Sequence, residues 1–292
     1  MKSAALIVNP FASGVTEERL AAVEDAFAGV ELTVTLTERP EHATELARAV
    51  RGVDAIVVYG GDGLLNEVLN GVDGSVPVGV VPGGRTNVVV RALGLPTDPV
   101  AAARRLAEAR PRQISLGRVN GRRFAFAAGI GFDAELVRRV DKRGRGSEGR
   151  RPGDLVFTWE AAKLLAARRG RYEPMLEVEG RGRAAFALVA NTDPYSYAGG
   201  RPLRVAPGAR FELGLDLVAP RRVGVGSIPR LLAYAFRGEG QKEAEDLIYA
   251  HDLDRIFIRC DRPLPLQTDG EDLGNVEEAV FEAERGAIAV LV

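Results

Sequence analysis

Residues 55–71 read AIVVYGGDGLLNEVLNG, and this stretch decides the architecture of the first half of the chain. Ala55 to Tyr59 are apolar without alternation, the pattern of a strand buried on both faces. Gly60, Gly61, Asp62 and Gly63 follow at once, and then Leu64, Leu65, Val68 and Leu69 recur at helical spacing. A buried strand that turns through glycines directly into an amphipathic helix is half of a βαβ unit. The same alternation extends in both directions. Upstream it predicts a strand over 4–8, a helix over 16–27, a strand over 32–36 and a helix over 41–51. Downstream it predicts a strand over 76–80 and helices over 88–93 and 99–109. Strands separated by helices in this way imply an open parallel sheet covered on both faces.

After Pro111 the texture changes. Runs such as QISLGRVNGRRFAFAAGIGF, MLEVEGRGRAAFALVAN, LGLDLVAP and DRIFIRC, broken by Gly, Pro and Asn, predict an antiparallel, β-rich, sandwich-like domain. One long helix over 154–169 interrupts it, preceded by a polar, glycine-rich stretch over 141–153. The closing AIAVLV reads as a strand that returns to the first domain. The expected organisation is therefore an α/β domain over 1–111, completed by 286–292, and a β-rich domain over 112–285. A length of 292 residues suits two domains.

Composition excludes several classes. The hydrophobic share of 46% and charged share of 27% are those of a globular chain, and the net charge of −1 gives no global attraction to nucleic acid or membrane. A single cysteine, Cys260, rules out an internal disulfide and suits a reducing cytoplasm. Two distant histidines, His42 and His251, leave acid-base work to carboxylates. The start MKSAALIVNP does not read as a signal peptide, and no run reaches the roughly 18 apolar residues of a membrane span.

Three loops carry the candidate chemistry. Gly60 to Gly63 lie where an α/β sheet binds ligands, at the carboxyl end of a strand, and glycines let main chain approach a phosphate closely. Asp62 inside that loop either caps a helix, holds a divalent cation beside a nucleotide, or accepts a proton. A second loop, VVPGGRTN, places Gly83, Gly84, Arg85 and Asn87 before another helix. A third, VNPFASG, offers Asn9, Ser13 and Gly14. Each taken alone is also an ordinary turn.

The ordered set NPFASG, GGDGLLNEVLNG, PGGRTN, GIGFDAEL and QTDGE resembles the diacylglycerol kinase catalytic family along nearly the whole chain. The resemblance implies an α/β domain that binds ATP with Mg²⁺ through the loops at Gly60–Gly63 and Gly83–Asn87, and a β-rich domain that binds lipid. It also assigns Asp269 as general base, assisted by Glu271. Asp62 and Asp216 become the metal-holding candidates, Asp216 as the position kept in FELGLDL from an acidic DDGLLD pattern. The chain departs from the family at Leu64, where Thr is commonest, and at Arg85, where a small hydroxyl residue is usual. Read without the family, Asp269-Gly270 is a type I′ hairpin turn.

The implied activity is transfer of the γ-phosphate of ATP to a lipid hydroxyl, with diacylglycerol foremost and a sphingoid base or another lipid as alternatives. An NAD kinase or phosphofructokinase-like enzyme shares GGDG after a strand, and a catalytically silent lipid-binding protein is the non-enzymatic alternative. The helix LVFTWEAAKLLAA and the GIGFDAEL segment read either as core or as an acyl pocket. Arg138, Arg139, Lys142, Arg143, Arg145, Arg150, Arg151, Arg168, Arg169 and Arg171 form a basic run, either a solvated surface or a patch for transient docking on anionic lipid. Without interleaved aromatics that run does not read as a nucleic-acid module. Oligomeric state leaves no trace in the sequence.

Overall fold

The computed structural model describes residues 1–143, 154–198 and 200–292. The chain divides into two compact units, unit 1 comprising Met1–Leu116 with Arg285–Val292, and unit 2 comprising Gly117–Glu284.

Unit 1 alternates β1 (Ser3–Val8), α1 (Glu17–Ala26), β2 (Glu31–Leu36), α2 (His42–Ala49), β3 (Ala55–Gly60), α3 (Asp62–Leu69) and β4 (Val78–Pro82), followed by α4 (Val88–Ala92) and α5 (Pro99–Ala107). The strands are parallel in the order β2, β1, β3, β4, with Val8 opposite both Leu36 and Tyr59, and Gly60 opposite Pro82. From β1 the chain passes to one side to form β2 and returns on the other side as β3. The carboxyl edge between β1 and β3 is therefore a topological switch point, the place where open α/β sheets bind ligands. Leu6, Val8, Val57, Tyr59 and Val81 are buried against Phe27 and Leu106, and each such side chain contributes about 1.5–3 kcal/mol on leaving water. Helix starts follow local chemistry: the Thr16 hydroxyl accepts the Arg19 N–H, and the Asp98 carboxylate accepts the Ala101 N–H ahead of Pro99. Helix α3 begins at Asp62, two residues before the apolar periodicity begins, so Asp62 and Gly63 belong to its first turn.

Strand β5 (Pro111–Val119) carries the chain from unit 1 into unit 2. Unit 2 continues with β6 (Arg122–Phe124), β7 (Ala127–Ile130), α6 (Phe132–Lys142), α7 (Asp154–Ala167), β8 (Leu176–Val178), β9 (Gly182–Ala184), β10 (Ala187–Ala190), β11 (Ser196–Ala198), β12 (Arg201–Leu203), β13 (Leu215–Pro220), α8 (Ile228–Arg237), β14 (Leu247–Leu253) and β15 (Arg255–Thr268). The last strand, β16 (Glu271–Leu291), pairs antiparallel with β15 in unit 2, and its end lies parallel to β4 in unit 1, Val290 opposite Val78. Within unit 2 the sheet runs β14, β13, β10, β7, β15, β16 and is antiparallel throughout. Its core includes Phe124 edge-on to Phe281, with Leu176, Ile258 and Leu266.

Where one long helix is expected in this half, α6 and α8 accompany it. The glycines of GIGF read as strand punctuation, yet Gly131 adopts φ +92°, a conformation open mainly to glycine, and turns the end of β7 straight into α6. Helix α6 then buries Ala134, Val137 and Val140. Among the described residues no helix is long and apolar enough to cross a membrane.

Candidate functional site

In unit 1 the three glycine loops follow β1, β3 and β4, which are neighbours, and they touch through main chain. The Gly14 N–H donates to the Gly83 carbonyl at 2.9 Å, and the Gly83 N–H donates to the Gly60 carbonyl at 2.7 Å. A Cβ at Gly14 would lie 2.9 Å from the Gly83 oxygen, and one at Gly84 would lie 2.5 Å from the Gly61 Cα. At both positions a side chain would force the loops apart. Asn87 has φ +49°; its side chain accepts the Gly84 N–H at 3.0 Å and donates to the Gly84 carbonyl at 2.8 Å, closing the loop on itself. The Asn9 side chain accepts the Phe11 N–H at 2.9 Å and shapes the first loop, whereas Ser13 and Arg85 are exposed.

Asp62 takes a role that a local reading misses. Its carboxylate accepts the Val88 N–H at 3.1 Å and the Val89 N–H at 3.4 Å, so a residue at the start of α3 caps α4 and ties the loop at Gly60–Gly63 to the loop at Gly83–Asn87. Leu64 is turned inward: it is buried, and its Cδ2 occupies the space beside Gly60 that a Cβ there would need. The side chain at position 64 therefore packs the loop from within.

In unit 2, Asp269 and Gly270 have φ +48° and +81° and join β15 to β16 with Thr268 opposite Glu271. The turn is the two-residue hairpin that Asp-Gly favours. Yet Asp269 is 3% exposed, and its carboxylate accepts three successive main-chain N–H groups: Ala125 at 2.6 Å, Phe126 at 3.0 Å and Ala127 at 3.1 Å. These donors compensate the burial of the charge and fix both oxygens in place. Glu271 forms an ion pair with Arg122 at 3.0 Å.

A second carboxyl lies behind the turn. The Gln267 carbonyl oxygen accepts the Gly270 N–H at 2.8 Å, while its amide donates to Asp133 at 2.6 Å and to the Tyr195 hydroxyl at 3.1 Å. Tyr195 donates to the same Asp133 oxygen at 2.7 Å. Burial raises the Asp133 carboxyl above its ordinary range, and the Tyr195 O–H and Gln267 N–H pull it partly back. Burial and the neighbouring Asp133 push the Tyr195 phenol well above its usual value. Neither Asp133 nor Tyr195 stands out in the sequence by itself. Asp133 lies in the first turn of α6, where acidic residues are common, so its position in GIGFDAEL carried no distinguishing signal.

Asp216, a metal-holding candidate from the sequence, has partners within its own unit. Asp216 is fully buried, and its oxygens accept from the Tyr249 hydroxyl at 3.0 Å and the Asp252 N–H at 3.1 Å, with His251 Nδ1 at 2.7 Å. Among the described residues no cluster of three or more His, Cys, Asp or Glu suited to a metal occurs. At Asp62 both oxygens likewise have partners, the Val88 and Val89 N–H groups. Mg²⁺ takes one or two carboxylates and leaves its other positions to phosphate and water, and Asp62 is the carboxylate among the glycine loops.

Of the described residues of the basic run, Arg138, Arg139, Arg143 and Arg168 are in ion pairs. Arg138 grips Asp272 with two bonds of 2.8 Å, Arg139 and Arg168 share Glu135, and Arg143 pairs with the buried Glu160. Arg145, Arg150 and Arg151 lie outside the described residues.

Comparison with known proteins agrees with this arrangement. The diacylglycerol kinase catalytic domain profile matches residues 3–119. The diacylglycerol kinase of Bacillus subtilis (strain 168) is 31% identical over 284 residues, covering 93% of this chain and 90% of that protein. A diacylglycerol kinase structure from Bacillus anthracis str. Sterne has a TM-score of 0.72 at 20% identity, covering 99% of this chain and 96% of that one. An NAD kinase from Archaeoglobus fulgidus, solved in complex with ATP, has a TM-score of 0.52 at 15% identity, covering 99% and 92%. The profile match and the Bacillus subtilis relative define a phosphotransferase with an alcohol group as acceptor. The chain belongs to the diacylglycerol kinase catalytic family.

Proposed function

We propose that the protein transfers the γ-phosphate of ATP to the hydroxyl of a lipid, diacylglycerol first among the candidates. The observation that carries the phosphate half is the backbone contact among three glycine loops at the β1/β3 switch point. The lipid acceptor rests on the named activity of the Bacillus subtilis relative.

In this reading the loops at Asn9–Gly14, Gly60–Gly63 and Gly83–Asn87 hold the nucleotide, and Arg85, exposed on its loop, supplies a guanidinium to phosphate. Asp62 would hold Mg²⁺, which would supply charge neutralisation at the phosphate groups. Asp269, fixed by three amides, accepts the proton of the acceptor hydroxyl as the new O–P bond forms and the bond to the departing ADP breaks. Glu271 holds Arg122 beside this turn. The protein works from the cytoplasm and meets its substrate at the membrane surface, where the basic residues of α6 and of the segment after α7 attract anionic lipid.

The test is transfer of labelled γ-phosphate from ATP with Mg²⁺ to diacylglycerol, a sphingoid base and a glycerophospholipid in mixed micelles, with NAD and fructose 6-phosphate alongside. A labelled lipid is expected. A labelled NAD or sugar phosphate in its place would move the protein to a soluble-substrate kinase, and absence of both product and ATP binding would make it a silent lipid-binding protein.

A further inference from the structure

A cavity of about 460 Å³ opens in unit 2 between α6, residues 168–175 and residues 262–265 of β15. Five cations line it: Arg138, Arg139, Lys142, Arg168 and Arg262. Against them stand Glu135 in the lining and Asp272, which Arg138 grips, so the cations exceed the acids by three. Four of the five have partners that hold them, Arg138 on Asp272 among them. Glu135 takes Arg139 on one oxygen at 2.9 Å and Arg168 on the other at 3.4 Å. Arg168 lies over the Tyr172 ring, 4.8 Å from its centroid, and Arg168 and Arg262 both reach the Met175 sulfur, at 3.7 and 3.6 Å. Arranged guanidiniums with surplus charge match a phosphate bearing several free oxygens. The remaining walls, Phe132, Tyr172, Leu264 and Pro265, are apolar or aromatic and suit the body of an amphiphile rather than a fully hydrated ion.

We propose that this cavity is an anion site within unit 2 that takes a phosphate monoester at the head of a lipid. A flat basic surface responds to the charge density of a membrane whatever its source. A formed cavity distinguishes a monoester, with its extra oxygen and charge approaching −2, from a diester at the same membrane charge. If the transfer reading holds, the ligand belongs to the product class of the reaction. The binding measurement below does not depend on that reading, so the two fail separately.

The experiment measures binding of the full chain to phosphatidylcholine vesicles containing either phosphatidic acid or phosphatidylglycerol, adjusted to equal surface potential. Tighter binding to the phosphatidic acid vesicles is expected. Arg262→Ala and Lys142→Ala should each weaken that binding about fivefold and the double variant more, with melting temperatures confirming folding. Arg222→Ala removes an exposed cation outside the cavity, paired with Glu173, and should preserve the preference. Equal binding to both vesicles, or a loss in Arg222→Ala as large as in Arg262→Ala, would overturn the site. Glycerol 3-phosphate binding as tightly as the lipid would overturn its assignment to a lipid head.

Discussion

In unit 1 the three glycine loops meet where side chains are missing; in unit 2 the Asp269 turn is fixed by side chains that are almost completely buried. The first arrangement works through shape, because Gly14, Gly60, Gly61, Gly83 and Gly84 bring main chain within contact of main chain. The second works through compensated polarity, because Asp269, Gln267 and Tyr195 are 3%, 2% and 7% exposed and each is hydrogen-bonded. Buried polar groups are costly when a partner is lost, whereas glycine contacts fail when atoms are added. The two regions should therefore break in different ways.

The largest effect is expected from Asp269→Asn. An amide presents an N–H where the carboxylate met one of three donors, so about 1–3 kcal/mol of stability should be lost. Removing the base should lower turnover on the order of 10²- to 10⁴-fold. Turnover on lipid micelles and the urea midpoint, measured on the same preparation, separate the two losses. Near-full turnover with lowered stability would make Asp269 an anchor of the hairpin and no more.

Gly84→Ala tests the other region and should lower turnover, with about 1–3 kcal/mol of stability lost to overpacking. The added Cβ would meet the Gly61 Cα at 2.5 Å and the Asn87 Oδ1 at 2.8 Å, and neither is the loose end of a flexible side chain. If these loops hold the nucleotide as proposed, a displacement of this size should cost on the order of 10²-fold in kcat/KM. Gly226→Ala, whose added Cβ meets nothing within 4 Å, is the neutral control. Unchanged kcat/KM in Gly84→Ala would show that the loop contact does not shape a working site.

The same contrast explains what the sequence reveals. The α/β half is legible because each strand is a short apolar run and each loop is a contiguous motif at its end. The hairpin at Asp269 is legible for the same reason, since Asp-Gly suffices to predict its two left-handed residues. The grip on that carboxylate comes from residues 125–127, about 140 positions upstream, and the tie between Gln267, Tyr195 and Asp133 joins three remote segments. No local pattern encodes such contacts. Asp62 lies between these cases: its motif is plain, but its partners at Val88 and Val89 belong to the next strand-helix passage. Asp216 shows the reverse, because the position matches a metal-holding pattern while Tyr249, His251 and the Asp252 amide complete its shell.

The smallest effect, and the one that sharpens the picture of unit 2, is expected from Asp133→Asn. Its carboxyl titrates at 3.8 when unperturbed, and burial raises it in the folded protein. The folded state therefore holds this proton more tightly than the unfolded chain does. The resulting stabilisation is full below 3.8 and is lost as pH rises through the folded value. An amide keeps an acceptor for Tyr195 and Gln267 but cannot titrate. Urea midpoints of wild type and variant, compared across a pH series, should show wild type at its greatest relative advantage in acid, with the difference falling as the pH rises. A pH-independent difference would mean that the Asp133 carboxyl is not held protonated by its surroundings, and that the cluster behind the Asp269 turn is secured by its hydrogen bonds alone.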